Sequence, residues 1–249
     1  MTPSDKSQYY ISDNNGFTLL ELSIVLIAIG LITGGIMTGS SLMHSAQLRA
    51  INEEVTQYSM AVNTFKTKYN ALPGDIANAQ AYFGTDVNNG NGDGMIQQIL
   101  EGYYFWHHLE KAGLIGGSYT GLQGPIRNTD DVIGVNVPAS KYNGAGWNIE
   151  DNLLTGTAEE YALYIDHNHY EFGSDDDSND DDTDAPILTP ADAMHIDSKY
   201  DDGRPAYGNI VARYWNNACT DASNKFDLNS DYRATDSSVQ CAINYLNMF

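Results

Sequence analysis

The chain is poor in basic residues. Its 249 residues include 12 lysines and arginines against 33 aspartates and glutamates, which gives a formal charge of −21. Residues 1–70 hold five acids and four bases, so the rest of the chain carries 28 acids and 8 bases. A domain of that charge repels nucleic-acid phosphates, which argues against a nucleic-acid partner, and it attracts cations, calcium in particular, through oxygen ligands.

The common catalytic motifs are missing from the sequence. It contains no G-x-S-x-G, no H-E-x-x-H, no P-loop and no cysteine-centred nucleophile. His107 and His108 are adjacent, so they point about 100° apart on a helix, and DHNH at 166–169 is expected in a hairpin turn. Neither pair has further cysteines or histidines at zinc spacing. We therefore expect a protein that is not an enzyme, without a metal site at these histidines.

Only two cysteines occur, Cys219 and Cys241, both near the C-terminus. An even count in a chain with a membrane-targeting segment favours one disulfide that closes a loop in an oxidising compartment. Two unpaired buried thiols are the alternative, because spacing alone does not establish pairing.

A long apolar segment begins near the N-terminus. From Phe17 to Gly39, 23 residues include a single charged side chain, Glu21. That length matches the ~20 residues that cross a bilayer as a helix. A cleavable secretory signal has a shorter apolar core of about 7–15 residues and a polar cleavage region, which does not follow here. Residues 17–39 are therefore predicted to span a membrane.

An amphipathic pattern follows the apolar segment directly. No proline interrupts residues 17–72, and Pro73 in ALPGD disfavours helical geometry at the residue before it. We predict one continuous helix over 17–71, whose second half packs on a globular domain; a coiled coil is the alternative. The apolar residues that recur at alternating steps of three and four are Leu48, Ile51, Val55, Tyr58, Val62, Phe65 and Tyr69.

Glu21 is an unusual residue for a membrane span. A carboxylate in hydrocarbon costs roughly 2.5–3.5 kcal/mol on insertion scales. Either it is protonated or reaches the interface near the end of the span, or it has a cationic partner. Cleavage after Gly16 would free the α-amino group of Phe17, and between staggered parallel helices one copy's amine can meet the next copy's carboxylate. Because a buried unpaired charge is strongly unfavourable, that pairing would drive assembly.

The segment GFTLLELSIVLIAIGLITGG resembles the N-terminal signature of type IV prepilins and of the pseudopilins of type II secretion. The resemblance implies that a membrane-bound prepilin peptidase cleaves after Gly16, removes residues 1–16 as a leader, and methylates Phe17. It also implies a role for Glu21 in subunit recruitment and assembly. The leader departs from the family's usually basic pattern, because Lys6 is its only basic residue.

The resemblance also implies a fold, a function and partners. The expected fold is α+β and pilin-like: a long N-terminal helix, half membrane-spanning and half amphipathic, packs on a globular head, residues 72–249, with a small antiparallel sheet. The implied function is a structural subunit of a type IV pilus or pilus-like filament. Its partners would be other copies or related pilin subunits, the prepilin peptidase and an inner-membrane assembly platform.

The implied location is the bacterial inner membrane, crossed once before assembly, and then a periplasmic or extracellular filament. Two other functions stay open. One is a type II secretion pseudopilin, which shares the architecture. The other is a membrane-anchored, calcium-dependent adhesion or binding module that never polymerises.

The stretch DVNNGNGDGMIQQILEG partly matches the EF-hand loop template D-x-[DN]-x-[DN]-G-x5-E. The first ligand is asparagine rather than aspartate, and the closing acid comes one residue late. A glycine- and asparagine-rich turn without metal is the alternative. If calcium binds, the few charged ligands predict an affinity near 10⁻⁴–10⁻³ M. The predicted ligands are Asn89, Asn91, Asp93, the backbone carbonyl of Met95, and Glu101.

Local signals predict further elements in the head. A short helix should end at Gly84, and a second helix should cover 96–112. Thr189 resembles an N-cap with Pro190 at the first helical position. GNIVARYW predicts a strand, and the aspartate-rich stretch 174–184 predicts a solvated loop.

Overall fold

The structure is a computed structural model, which describes residues 16–97, 100–125, 130–150, 161, 168–175, 183–213 and 219–249. Residues 1–15 of the predicted leader, and the centre of the aspartate-rich stretch 174–184, lie outside the described residues. The chain divides into two compact units, and the boundary in sequence falls between Ser45 and Ala46.

The described chain is α+β, as predicted. Its sheet has the strand order β1-β2-β4-β3, and every neighbouring pair is antiparallel. The helices are α1 (Leu19–Tyr69), α2 (Ala79–Phe83), α3 (Glu101–Lys111) and α4 (Pro190–Tyr200), and the strands are β1 (Gly146–Glu150), β2 (His169–Gly173), β3 (Ile210–Ala212) and β4 (Ile243–Tyr245).

Helix α1 is continuous over 51 residues, which confirms the predicted long helix. It ends where Asn70 adopts a left-handed conformation, φ 53°, and Pro73 follows three residues later. An 18-residue window within α1 has a mean hydropathy of 2.3 and is fully exposed, so the helix is long and apolar enough to cross a membrane.

The predicted apolar seam of α1 packs into the core of the unit Ala46–Phe249. Six of its seven residues are buried, and Tyr69 is half-buried. Tyr58 lies at the centre of this core, with ring centroids 5.0 Å from Trp106 of α3 and 5.9 Å from Trp147 of β1. Both pairs are edge-to-face, the favoured aromatic geometry. The second half of α1 is therefore amphipathic and packs on the globular unit, as the periodicity predicts.

One acidic side chain of α1 is buried against the sheet. Glu54 Oε2 accepts hydrogen bonds from Trp147 Nε1 at 2.8 Å and from Ser140 Oγ at 2.7 Å. Its Oε1 accepts the Lys141 N–H at 2.8 Å. Three donors satisfy this carboxylate, so its burial at 6% exposure does not leave an unpaired charge.

The two faces of the sheet differ in chemistry. Successive strand residues point to opposite faces, and the apolar set, which includes Trp147 and Tyr170, meets α1 at Tyr58. The other face, here called the polar face, is also buried, although most of its side chains are polar or charged. The polar face comprises Asn148, Glu150, His169, Glu171 and Asn244.

Several local predictions about the head are confirmed. Helix α2 ends before Gly84, which has a φ of 102°, and Thr189 Oγ1 accepts the Asp192 N–H with Pro190 at the start of α4. Cys219 and Cys241 form a disulfide that closes a 22-residue separation. GNIVARYW contains strand β3.

Helix α3 begins at Glu101, five residues later than predicted. The backbone N–H groups of residues 95–97 donate to side-chain oxygens instead of to helical carbonyls. The Met95 N–H donates to Asp93 Oδ1, and the Gln97 N–H donates to Glu101 Oε2. The Ile96 N–H donates to Asn168 Oδ1, and the Ile96 side chain is fully buried. These side-chain acceptors take up the N–H groups of residues 95–97, which are therefore not available to a helical turn.

Candidate functional site

The start of α1 carries a reciprocal cap between Thr18 and Glu21. Glu21 Oε2 accepts the Thr18 N–H at 2.8 Å and the Thr18 hydroxyl at 2.9 Å. The Glu21 N–H in turn donates to Thr18 Oγ1 at 3.2 Å. This is a capping box, which satisfies N–H groups that the first helical turn leaves free. The stretch TLLE contains its T-x-x-E spacing, so the cap has a signal in the sequence.

The predicted processing residues lie just before the cap. Gly16 and Phe17 precede the helix, and the Phe17 side chain is 89% exposed. The Gly16–Phe17 bond therefore lies in the described chain as an exposed peptide immediately before a helix. Within a single chain, Glu21 already has the Thr18 donors as local partners.

The helix that follows is apolar on all sides and exposed. Large hydrophobic side chains from Phe17 to Met43 are at least half exposed. A Cβ added to any of Gly30, Gly34, Gly35 or Gly39 would meet no atom within 4 Å. An apolar surface of this extent marks contact with a membrane or another protein, and glycines four apart let a neighbouring helix approach closely.

A second candidate site surrounds Asp75, in the turn after α1. Residues 88–97, here called the acidic loop, fold around its carboxylate. Asp75 Oδ1 accepts the N–H groups of Gly92 at 2.7 Å and Asp93 at 2.9 Å, and Oδ2 accepts the Gly94 N–H at 3.0 Å. Successive N–H groups around an anion form a nest. Asp75 was missing from the predicted ligand set, because it lies 14 residues before that set begins.

Three carboxylates meet at the acidic loop. Asp75, Asp93 and Glu101 each offer an oxygen, and these oxygens lie within 4.8 Å of one another. Two of the three, Asp93 and Glu101, belong to the predicted set. Burial raises the pKa of the Glu101 carboxyl, and the neighbouring charges of Asp75 and Asp93 add to this, against the N–H bonds from Gln97 and Asn91.

The other predicted ligands serve the loop in different ways. Asn89 Oδ1 accepts the Gln80 N–H of α2 at 3.0 Å, so this oxygen is directed at a helix rather than at the carboxylates. Asn91 Nδ2 donates to Asp93 Oδ2 at 3.0 Å, and Asn91 Oδ1 accepts the Asp93 N–H. Met95, predicted to contribute its carbonyl, donates its N–H to Asp93 Oδ1 at 2.9 Å.

The carboxylates of Asp75, Asp93 and Glu101 have oxygen acceptor sites with which they could bind a cation. Each carboxylate oxygen has two acceptor sites. Among the described residues, Asp75 Oδ2 and Asp93 Oδ1 each accept one hydrogen bond, as does each oxygen of Glu101. One acceptor site on each of these four oxygens therefore stays available. Calcium takes 6–8 oxygen ligands, so backbone carbonyls and water would complete its shell.

Backbone conformation and a buried histidine hold the acidic loop in place. Gly94 occupies the sixth position of the loop template with a φ of 92°, a conformation that favours glycine. His108 Nδ1 accepts the Gly74 N–H at 2.9 Å, and its Nε2 bonds the Asn88 carbonyl at 2.8 Å. Burial lowers the pKa of His108 to about 4, so the neutral ring bridges the two segments at neutral pH.

A cleft of about 600 Å³ opens beside the carboxylates. Its lining includes Asp75, Asp93 and Gly94 together with Tyr69 and Tyr82. The two tyrosine rings pack edge to face with centroids 5.1 Å apart. The cleft therefore offers a solvent path to the acidic cluster.

Comparison with known proteins does not add a relative. No protein family, characterised protein or solved structure matches the chain. A functional proposal therefore depends on the motif at residues 16–35 and on the geometry of the two candidate sites.

Proposed function

We propose that this protein is a structural, non-catalytic subunit of a type IV pilus or pilus-like filament. The observation that carries the proposal is the sequence of features at the N-terminus. Gly16 and Phe17 precede a helix whose fifth residue after the predicted cut is Glu21, and the same helix is exposed and apolar before its second half enters the head core.

The exposed half of α1 needs a second phase to cover it. Burying apolar surface contributes roughly 25 cal/mol per Å², so a helix that is apolar on all sides is unfavourable in water. Before assembly the inner membrane would cover it, and afterwards the same segments of neighbouring copies would. Glycine pairs such as Gly30–Gly34 and Gly35–Gly39 suit the second arrangement, because they allow close backbone approach.

Processing would change the charges at the start of this helix. Cleavage after Gly16 by a prepilin peptidase would convert the Phe17 amide into an amine, which is then methylated. That amine and the Glu21 carboxylate of a neighbouring copy would form an ion pair within apolar surroundings. Because an unpaired charge there is strongly unfavourable, each added subunit would satisfy the one before it. The inner-membrane assembly platform would be the partner at which copies meet.

The mass of the mature N-terminus tests the proposal. We expect the membrane-extracted protein to begin at Phe17 with one added methyl group. Gly16→Leu should leave the leader attached, whereas Gly30→Leu should be processed like the wild type. An intact leader on the wild-type protein in cells that process other prepilins would refute the filament proposal. It would favour the membrane-anchored binding module.

A type II secretion pseudopilin would undergo the same processing. Filament length and location separate the two: a pilus is sheared from the cell surface, whereas a pseudopilus remains periplasmic. We place the pilus first, because no described feature of the head is particular to secretion.

We also propose that the acidic loop binds calcium. The supporting observation is that three carboxylates converge there with acceptor sites still available, beside a cleft open to solvent. In this proposal Asp75, Asp93 and Glu101 supply the charged ligands. The ion would offset the repulsion among them and would order the loop.

A further inference from the structure

The polar face of the sheet is the least expected feature of the head. A buried sheet face normally packs apolar side chains, since unpaired polar groups are expensive to bury. Here the register brings Glu150 opposite His169, and Glu171 lies between Asn148 and Asn244. His169 and Glu171 have no exposed area, and Glu150 is 5% exposed.

Three of these side chains converge on one point. Glu150, His169 and Glu171 each offer one atom, and these atoms lie within 4.8 Å of one another. His169 Nε2 lies 3.7 Å from Glu171 Oε1, too far for a hydrogen bond. A zinc ion with bonds of about 2.0–2.2 Å holds its ligand atoms within about 4 Å of one another. Closing the set around an ion therefore requires shifts of about 1 Å or less.

Polar atoms of His169 and Glu171 beside this point are buried without a hydrogen bond from the described residues. Among the described residues, neither ring nitrogen of His169 makes a hydrogen bond, and neither does Glu171 Oε2. Leaving a buried polar group unsatisfied costs about 1–3 kcal/mol, and more for a charged group. A histidine with two unpaired nitrogens at zero exposure indicates that something else binds there.

The charges around this point indicate the sign of the missing partner. Arg213 Nη1 donates to Glu171 Oε1 at 2.6 Å, and its Nη2 pairs with Asp184. This guanidinium faces Glu171 and Asp184, and Glu150 adds a third buried carboxylate. Counted as ionised, Glu150, Glu171, Asp184 and Arg213 together carry a formal charge of −2. A divalent cation would balance that charge, and the Arg213 bond to Oε1 would orient the Glu171 carboxylate for the ion.

We infer that Glu150, His169 and Glu171 form a buried site for a divalent transition-metal ion such as zinc. An imidazole together with carboxylates is a common donor set for zinc, whereas calcium and magnesium prefer oxygen ligands alone. The site is separate from the acidic loop and independent of the filament proposal. Its role is structural, because it cross-links β1 and β2 beneath the surface of the head.

Sequence spacing does not reveal this site. The histidines of DHNH have no cysteine or histidine partners at zinc spacing, and we expected them in a hairpin turn. His169 instead begins strand β2, and its acidic neighbour Glu150 comes from strand β1, 19 residues earlier.

Metal analysis of the purified full chain in detergent tests the inference. After dialysis against micromolar zinc and then metal-free buffer, we expect about one zinc per wild-type chain. X-ray absorption should show a nitrogen and oxygen shell with one imidazole and no sulfur. His169→Gln should lose the ion, and His195→Gln, which removes an exposed histidine of α4, should keep it.

Glu150→Gln provides a second test if His169→Gln does not fold, and it should also lose the zinc. Asp75→Asn should retain it, because Asp75 binds the acidic loop and is not part of this site. Folded wild-type protein that holds no zinc would overturn the inference and indicate buried water in its place. Zinc that persists in both Glu150→Gln and His169→Gln would overturn it as well.

Discussion

The side chains of Thr18 and Glu21 cap the start of α1 reciprocally, with the Thr18 N–H 2.8 Å from Glu21 Oε2. The same carboxylate is the group that we propose to pair with the terminal amine of a neighbouring copy. Glu21 therefore has two possible roles, one within the chain and one between chains. They can be separated, because a glutamine at this position preserves a capping box but removes the charge.

We predict that the negative charge of Glu21 is required for filament assembly. Glu21→Gln and Glu21→Ala should both abolish filaments while leaving membrane insertion intact, because neither can pair with an ammonium. Thr18→Ala should weaken only the cap, at about 1 kcal/mol, and should still assemble. Electron microscopy and the sheared filament fraction measure the result. If Glu21→Gln forms normal filaments and Thr18→Ala forms no filaments, Glu21 contributes to assembly through the helix cap and not through its charge.

Glu54 should contribute strongly to the stability of the head. Glu54→Ala would leave Trp147 Nε1, Ser140 Oγ and the Lys141 N–H without their acceptor in the interior. We expect the free energy of unfolding to fall by about 3 kcal/mol, measured by denaturant titration. The exposed neighbour Glu53 gives the control, since Glu53→Ala should change the free energy of unfolding by less than about 0.5 kcal/mol. Equal losses in both variants would show that these three bonds do not matter.

Calcium should raise the melting temperature through the acidic loop. At about 10 mM calcium and an affinity of 10⁻⁴–10⁻³ M, binding adds roughly 1.4–2.7 kcal/mol, or about 3–10 °C. Asp75→Asn and Asp93→Asn should each reduce the shift. Asp86→Asn, which removes an exposed acid that pairs only with Lys111 at 3.1 Å in the described chain, should not. A wild-type melting temperature that is the same in calcium and in chelator would remove the calcium proposal.

Asp197 should make the head more stable in mild acid. Burial raises the pKa of its carboxyl from 3.8 to about 7, against hydrogen bonds from Tyr232 and Gly203 and with the charges of Asp202 and Asp201 adding to the rise. The folded state therefore binds a proton that the unfolded state releases between pH 3.8 and 7. This contribution is complete below pH 3.8 and is lost as the pH rises through 7.

The effect of Asp197 is measured as a difference from Asp197→Asn. Between about pH 4 and 7 the wild type should lose up to about 1.4 kcal/mol of unfolding free energy per pH unit relative to the variant. Asp236→Asn provides the control, because hydrogen bonds from Ser238 in its own turn lower the pKa of the Asp236 carboxyl instead of raising it. Parallel pH profiles for wild type and Asp197→Asn would contradict the prediction.

Local sequence patterns were sufficient to predict some features of this molecule. The 3.5-residue repeat of α1 identifies the face that the structure buries, and the pair Thr189–Pro190 marks the start of α4. Both depend on neighbours a few residues apart, whose interactions follow from helix geometry. The capping box of Thr18 and Glu21 is equally local, so the sequence alone could have revealed it.

The candidate sites could be identified only from the three-dimensional fold. Asp75 reaches the acidic loop only because the turn after α1 brings it there, and His108 bridges two segments 14 residues apart. Glu54 flanks the apolar seam of α1, and its burial depends on donors that Trp147 and Ser140 supply from outside the helix. Pairing between distant segments depends on strand register and packing, which leave no regular spacing in the sequence.

The amino-acid sequence by itself determined the membrane-length apolar helix, its amphipathic continuation and the motif GFTLLELSIV, because helical periodicity and hydropathy are properties of contiguous residues. Only the tertiary structure decided which carboxylates converge. It placed Asp75 with Asp93 and Glu101, and Glu150 with His169 and Glu171, because close approach of charges is set by the packing of elements far apart in the chain.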